Sequence, residues 1–401
     1  MSVDMRPLPF NLPAVPSFER PSASDFDRLK QQGRPFVMRG CLDEWPLCQE
    51  FSTLSSVRDK VAYLREHAAN ERISFVVLPA EIEGHLYFAN GLNTSGQRLE
   101  QSGSFAEFLE QLTTDPAKPA AVVYMHSTPV DDLPGLGAKV KLLPYVHRSL
   151  VEGFNFWIGS GGHIVDLHYD LDHNFICMIA GEKRVILAPP EVMHDVYPRA
   201  LDRAPYGATA ISAKLLDPDF TKFPRLRKAA EKFSVAVLRP REVLYIPPYW
   251  WHHVESFRLN VMVNIWQRAV ARDEFTPVAV LRRRALRQFA GQREEIRAAY
   301  RVRYAREVFR VEGGGASGGE TSIPAGRRGP RSLESLFEKT REAISAMPEF
   351  VRSAEAIFYD QWVFRPLGDP IENQPGEFQR MIKRLRRDHW KTEFRRFFLR
   401  R

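Results

Sequence analysis

Residues 154–266 are a succession of short, β-rich apolar runs broken by glycine and proline, and this limits most strongly what the chain can become. A chain written this way closes into a barrel or stacks as a sandwich. Inside that region the stretch "DLHYDLDHNF" (166–175) puts two histidines and three aspartates between the apolar runs "FWIGSGGHIV" and "ICMIAGEKRVILAPP". Carboxylates and imidazoles between buried strands are costly unless they are paired or hold a metal.

A strand sends alternate side chains to one face. If "VDLHYDL" is a strand, His168 and Asp170 share a face, and Val165, Leu167 and Tyr169 take the other. One imidazole and one carboxylate on the same side make two-thirds of a facial triad, in which two histidines and one carboxylate leave three metal positions open. The missing ligand is offered by "REVLYIPPYWWHHVESF" (241–257), in which an apolar strand, a Pro-Pro-Tyr turn and a second strand follow one another. His252 and His253 face opposite sides there, so one of the two enters the barrel, and the two tryptophans are expected to fence the site from water. In "GEKRVILAPP", Lys183 shares a face with Val185 and Leu187. A lysine among aliphatic neighbours meets an anion, whereas the opposite strand parity makes it a plain surface lysine. In "NVMVNIW", Asn260, Met262, Asn264 and Trp266 share one face, a polar cavity lining or a packed exterior.

Around this core, "SDFDRLKQQ" (24–32), "SSVRDKVAYLREH" (55–67) and "SFAEFLEQL" (104–112) read as serine-opened helices. "RPFVMRG", "ISFVVL", "HLYFA" and "AAVVYMHS" (120–127) read as strands. Among the 401 residues no run of about 18 apolar residues reads as a membrane helix. The start lacks a basic segment followed by an apolar stretch, so no signal peptide is expected. Three cysteines, Cys41, Cys48 and Cys177, make a disulfide framework improbable and fit a reducing cytoplasm.

The segment 154–266 resembles the Jumonji-C class of the cupin fold, through "FWIGSGG", "HYDLDHNF", "GEKRVILAPP", "EVLYIPPYWWHHVES" and "VNIW" in that order. Within the class it is most similar to the asparaginyl hydroxylase of the factor-inhibiting-hypoxia-inducible-factor type and its bacterial cupin-like relatives. Weaker likeness runs upstream through "RPFVMRG", "HLYFANGLN" and "AVVYMHS", so that it covers roughly residues 20–270. The resemblance implies a mainly β fold with α elements: a double-stranded β-helix (cupin, jelly-roll) core, an N-terminal α/β extension and C-terminal helices. It implies an oxygenase dependent on Fe(II) and 2-oxoglutarate, with His168, Asp170 and His252 as metal ligands. It places Lys183 and Tyr124 at the distal carboxylate of 2-oxoglutarate, Asn174 and Asn264 near its metal-bound end, and Trp266 beside them. The chain departs from the pattern at Val165, where the hydroxylase carries a threonine that contacts the distal carboxylate. His163, His173 and His253 are read as structural or supporting residues.

The expected division is residues 1–270 as the oxygenase domain, 271–310 as a helical extension, 311–332 as a Gly/Ser/Pro-rich linker, and 333–401 as a helical region with a basic tail. Residues 380–401 hold ten Lys or Arg and two Asp or Glu, so the +8 net charge resides in the tail and the body is balanced. Phe378, Met381, Ile382 and Leu385, then Trp390, Phe394, Phe397 and Phe398, recur at helical spacing in it. This apolar stripe is expected to be buried against the chain or a second subunit, the latter being a homodimer through C-terminal helices, as in the resembling hydroxylase. Nucleic acid is a weaker option for so basic a segment. The substrate, a protein side chain or a small molecule, carries no readable code. The competing function is a non-catalytic, metal-binding cupin that binds a ligand or regulates a partner.

Overall fold

The computed structural model describes residues 5–112, 121–193, 195–197, 209–268, 278–310 and 331–364, apart from short gaps within them. The linker at 311–330 and the basic tail from 365 onward, with its dimer expectation, lie outside the described residues. Two compact units are distinguished, one of residues 1–196 with 210–269 and one of 197–209 with 270–401.

The strands of the first unit are β1 (Ser17–Glu19), β2 (Phe36–Arg39), β3 (Arg72–Leu78), β4 (Phe88–Ala89), β5 (Leu92–Asn93), β6 (Leu99–Ser104), β7 (Val122–Pro129), β8 (Val151–Gly159), β9 (Ile164–Tyr169), β10 (His173–Ala188), β11 (Thr209–Ala210), β12 (Ser234–Leu238), β13 (Val243–Ile246) and β14 (Trp251–Gln267). Twelve of them form one sheet in the order β1-β2-β13-β10-β14-β8-β7-β3-β6, with β12 added to β10, β9 to β14 and β11 to β9. Two strands organise this sheet. β10 and β14 are 16 and 17 residues long and pair antiparallel from His173↔Gln267 to Ala188↔Trp251. Each changes its outer partner half-way. β10 pairs with β13 at 174–177 and with β12 at 183–187, while β14 pairs with β8 at 260–267 and with β9 at 251–255.

The pair bends between these halves. Register shifts flank Ala180, and Gly181 has φ +78 with a position for a Cβ only 2.5 Å from the Leu259 carbonyl oxygen. Only glycine fits both the left-handed backbone and the close approach. The bend lays β9, β12 and the outer halves of the long strands over β13, β8 and their inner halves, which is the double-stranded β-helix arrangement. Its interior is the buried cluster of Ile176, Met178, Val185, Leu187, Ala236, Leu238, Leu244, Ile246, Val254 and Met262. Each such side chain contributes roughly 1.5–3 kcal/mol when buried.

The opposite face of the large sheet is apolar too. Phe175, Cys177, Val261, Val263 and Ile265 belong to a second cluster with Phe26, Leu47, Phe51, Leu64, Phe108 and Leu109. The helices that supply this layer are α1 (Ala23–Gln31), α2 (Pro46–Thr53), α3 (Val57–Ala68) and α4 (Phe105–Leu112). Serines open α1, α3 and α4, with Ser22 in place of Ser24 capping α1, while α2 starts at Pro46 without a side-chain cap. The Ser22 hydroxyl accepts from the Asp25 amide. Ser56 with Asp59 and Ser104 with Glu107 form reciprocal capping boxes. Two short helices complete the unit, α5 (Pro134–Gly137) and α6 (Arg225–Ala230). The second unit contains α7 (Val278–Ala290), α8 (Glu294–Arg303), α9 (Arg331–Ser345) and α10 (Glu349–Phe358), with π-helical turns at Tyr304–Val308 and Tyr359–Phe364. Its core is aromatic: Phe289, Tyr300, Tyr304, Phe337, Phe358 and Tyr359 are all buried.

On the outer face of β10 and β14, the Arg184 Nε and Nη2 donate to both carboxylate oxygens of Glu255 at 2.6 and 2.7 Å, and both residues are buried. Removing one member of such a pair leaves an uncompensated charge and costs about 3–5 kcal/mol. Glu255→Ala is expected to lower the denaturation midpoint sharply, and a double replacement by apolar residues to recover much of the loss, as read by urea unfolding.

His163, His173 and His253 are buried, and burial holds each well below the usual histidine value of 6.5. As pH falls through that value the unfolded chain binds protons that the folded chain refuses. Their contribution to stability is therefore complete above about pH 7 and falls below it, by roughly 1.4 kcal/mol per pH unit for each histidine. Unfolding at pH 7.5 and 5.5 checks this, with the lower midpoint expected at 5.5.

Candidate metal centre

Ligand atoms of His168, Asp170 and His252 lie within 4.8 Å of one another, the one such group of three among the described residues. Strand pairing brings them there. His168 near the end of β9 is directly opposite His252 on β14, and their rings stand 4.1 Å apart. Asp170 follows β9, and its carboxylate is 3.6 Å from the His252 Nε2. The Asp170 carbonyl accepts from the Tyr249 amide at 2.8 Å, which ties the loop carrying Asp170 to the turn that precedes His252.

Each histidine is set for ligation through Nε2. The His168 Nδ1 lies 2.7 Å from the Asp166 carbonyl oxygen and the His252 Nδ1 lies 3.0 Å from that of Trp250. A carbonyl only accepts, so both Nδ1 atoms carry a proton, which leaves Nε2 of each ring as the position for a metal. Burial and the neighbouring His252 ring lower His168 to about 4, so its imidazole is neutral at ordinary pH. Asp170 is held by two donors, the Asn174 amide and the Trp266 indole, each 3.1 Å from its Oδ2. Behind them the Asn264 amide donates to the Asn174 oxygen at 3.3 Å, and the Asn264 oxygen accepts from the Trp157 indole at 2.7 Å and the Asn155 amide at 3.3 Å. Two imidazoles that present Nε2 and a fixed carboxylate, with no fourth protein ligand among the described residues, fit an Fe(II) ion with open positions.

Further into the barrel, Lys183 is 1% exposed and shares the interior with Val185 and Leu187. Its ammonium donates to the Ser256 hydroxyl at 2.5 Å, and among the described residues no carboxylate pairs with it. Burial alone lowers it to about 7. A buried lysine with only a neutral partner fits the carboxylate of a bound anion, which restores its full charge. Tyr124 is buried near Val165 and Trp157. The sequence-derived site residues therefore lie along one lumen, with the metal ligands, Asn174, Asn264 and Trp266 at one part and Lys183 and Tyr124 at another.

Three expectations are corrected. β9 is not a regular strand: its pairing runs His252↔His168 but Val254↔Val165, so Val165 faces the same side as His168, into the lumen, and not away from it. The two tryptophans do not both fence the site. Trp250 packs on the interior cluster, with its indole donating to the Gly33 carbonyl at 2.8 Å, while Trp251 packs on Tyr169 outside. Among its described residues "HLYFA" holds an isolated bridge at His85 and the two-residue β4 in place of one continuous strand. Sequence reasoning also missed Ser256, which sits four residues beyond His252 on the same strand face, and Trp157, which shares its face with Gly159 opposite Tyr124. Parity counted from His252 finds the first.

Comparison with known proteins bears on most of this unit. The cupin-like domain matches residues 22–273. The chain belongs to the cupin-like domain family. Among curated proteins it is similar to the Lysine-specific demethylase JMJ30 of Arabidopsis thaliana, 26% identical over 241 residues that make up 58% of this chain and 50% of that protein. It is similar to the Jumonji C domain-containing protein 5 of Drosophila melanogaster, 28% identical over 262 residues, 63% of this chain and 59% of that one. It is also similar to the human Bifunctional peptidase and (3S)-lysyl hydroxylase JMJD7, 24% identical over 264 residues, 58% of this chain and 77% of that one. The chain spans about half the length of the JMJ30 protein. The cupin-like domain here thus joins Jumonji-C relatives, and its His-Asp-His group and its buried lysine without a carboxylate partner among the described residues fit the Fe(II) and 2-oxoglutarate of that class.

Replacing His168, Asp170 or His252 by alanine is expected to abolish tight binding of Mn(II), an oxygen-stable substitute for Fe(II), in calorimetry. Trp266→Phe, which removes one donor to Asp170, is expected to weaken it about 10-fold to 100-fold, the range for a residue that orients a ligand. His253→Ala is expected to leave it within a few-fold.

Proposed function

We propose that the chain is an Fe(II)- and 2-oxoglutarate-dependent oxygenase that hydroxylates a protein side chain. The observation that carries this is the buried Lys183, held in the same lumen as the His168, Asp170 and His252 group with no carboxylate of the described chain to pair with. A metal-binding cupin without this chemistry has no need of a cation there, so the non-catalytic alternative is disfavoured. The protein-substrate part rests on relatives whose names are lysine-specific demethylase and lysyl hydroxylase.

When bound, iron and 2-oxoglutarate supply the oxidising power that inserts one oxygen atom of O2 into a C–H bond as 2-oxoglutarate loses CO2 to become succinate. The chain supplies position and exclusion. His168 and His252 present Nε2, fixed by their carbonyl partners, and Asp170 presents a carboxylate that Asn174 and Trp266 keep from rotating. Lys183 and Ser256 hold the anionic end of the cosubstrate inside an aliphatic wall of Val185, Leu187 and Val254 that keeps water out.

A reducing, cytoplasmic setting belongs to the same reading and is supported by three free cysteines. No helix among the described residues is long and apolar enough to cross a membrane. Pairing of two copies through the C-terminal helices, and contact of the basic tail with nucleic acid, are carried only by the sequence of residues 376–401.

Purified protein with Fe(II), ascorbate and 2-oxoglutarate is expected to release succinate, more so with a protein extract, and mass spectrometry is expected to find peptides heavier by one oxygen. Lys183→Ala is expected to raise the 2-oxoglutarate requirement by about 100-fold or more, the effect of breaking a buried pair worth about 3–5 kcal/mol. Succinate release that is indifferent to Asp170→Ala and Lys183→Ala would sink the assignment.

A further inference from the structure

The lumen holds a polar side chain that the site as described does not use. His163 is 0% exposed, and neither of its ring nitrogens has a hydrogen-bond partner among the described residues. Buried imidazoles are rarely left so, because a buried polar group without a partner has lost its water and gained nothing in return. Its position is built. The ring stacks on Tyr124 with centroids 3.8 Å apart. It lies over Gly159, where a Cβ would come within 2.9 Å of His163 Cε1 and 3.0 Å of Tyr124 Cδ2, so the glycine leaves the space that the imidazole fills. The segment bearing it is tied to the partner of Lys183. The Ser256 amide donates to the His163 carbonyl at 3.1 Å, and the Gly162 amide donates to the Ser256 carbonyl at 2.7 Å. Burial first, and the Lys183 ammonium second, keep the imidazole neutral, with one N–H to give.

The same region lacks a donor. Val165 faces the lumen, packed near Tyr124, and its isopropyl group offers no hydrogen bond. A carboxylate at Lys183 has about four lone-pair sites, and Lys183, Ser256 and the Tyr124 hydroxyl leave room for a further donor.

We propose that His163 binds the distal carboxylate of the 2-oxo acid cosubstrate together with Lys183 and Ser256, its ring N–H giving the hydrogen bond that residue 165 cannot. This rests on the oxygenase reading above and names the residue that makes its cosubstrate site select a dicarboxylate. Stacking on Tyr124 fixes the ring plane, and burial keeps water from competing for the N–H.

The test is calorimetric binding to the Mn(II)-loaded full chain under anaerobic conditions, with two ligands: 2-oxoglutarate, and 2-oxopentanoate, which has the same carbon chain without the distal carboxylate. Wild type is expected to prefer 2-oxoglutarate strongly. His163→Ala is expected to bind 2-oxoglutarate about 10-fold more weakly or worse, the loss of one hydrogen bond to a charged group. Its affinities for 2-oxopentanoate and for Mn(II) are expected to be unchanged. Val165→Thr added to His163→Ala is expected to recover most of the loss, and His163→Asn, a smaller change that keeps an N–H, to lie between. The asparagine variant carries the test if the alanine variant does not fold. Folded variants that keep the wild-type preference would overturn the proposal, and so would variants that lose both acids equally, since that marks a packing role. A wild type that binds Mn(II) but shows no preference for 2-oxoglutarate would overturn the oxygenase reading itself.

Discussion

The register between β10 and β14 is the constraint on which the rest depends. The two strands pair over nearly their whole length, so their register, with its shifts on either side of Ala180, decides which side chains face the lumen. With His173 opposite Gln267 and Ala188 opposite Trp251, the inward set is Asn174, Ile176, Met178, Lys183, Val185 and Leu187 on one strand and His252, Val254, Ser256, Met262 and Asn264 on the other. A slip of β10 by one residue against β14 would turn Lys183 outward and bring Arg184 into the lumen beside His252 and Ser256. The alternative is costly in both directions. The Arg184–Glu255 pair is satisfied only outside, and the aliphatic residues of the lumen would lose their burial. The structural ion pair and the functional lumen are therefore two faces of one choice.

Much of this was legible because strands have a period of two. The faces of "GEKRVILAPP" and "NVMVNIW" follow from counting, and the structure resolves both open parities in favour of the lumen: Lys183 sits with Val185 and Leu187, and Met262 joins the interior while Val261, Val263 and Ile265 join the helical layer. The choice between His252 and His253 followed from the same count once the resemblance fixed the third ligand. Counting failed where a strand is irregular. Val165 was placed outside because a bulge between it and His168 has no signature in "IVDLH".

What the sequence could not carry is contact between segments far apart along the chain. The pairing of His85 with Asp166 at 2.7 Å, of Lys183 with Ser256, and the stacking of His163 on Tyr124 join residues that no local pattern links. The donors that fix Asp170 are of both kinds. Asn174 is four residues away and Trp266 is 96 residues away, yet both reach one carboxylate oxygen because β10 and β14 run side by side. The substrate lies further from reach. A substrate is chosen by surfaces that strand parity does not read.

The central claim is that one lumen holds the metal at His168, Asp170 and His252 and, on the same ion, a 2-oxo acid whose far end is anchored at Lys183. Visible absorption of the anaerobic protein with Fe(II) tests it most directly, since a 2-oxo acid chelating Fe(II) gives a charge-transfer band that neither component gives alone. The account predicts a band that grows with 2-oxoglutarate to one equivalent of iron, is lost in Asp170→Ala, and in Lys183→Ala appears only at far higher 2-oxoglutarate. Iron bound without any such band, or a band unmoved by both substitutions, would contradict it.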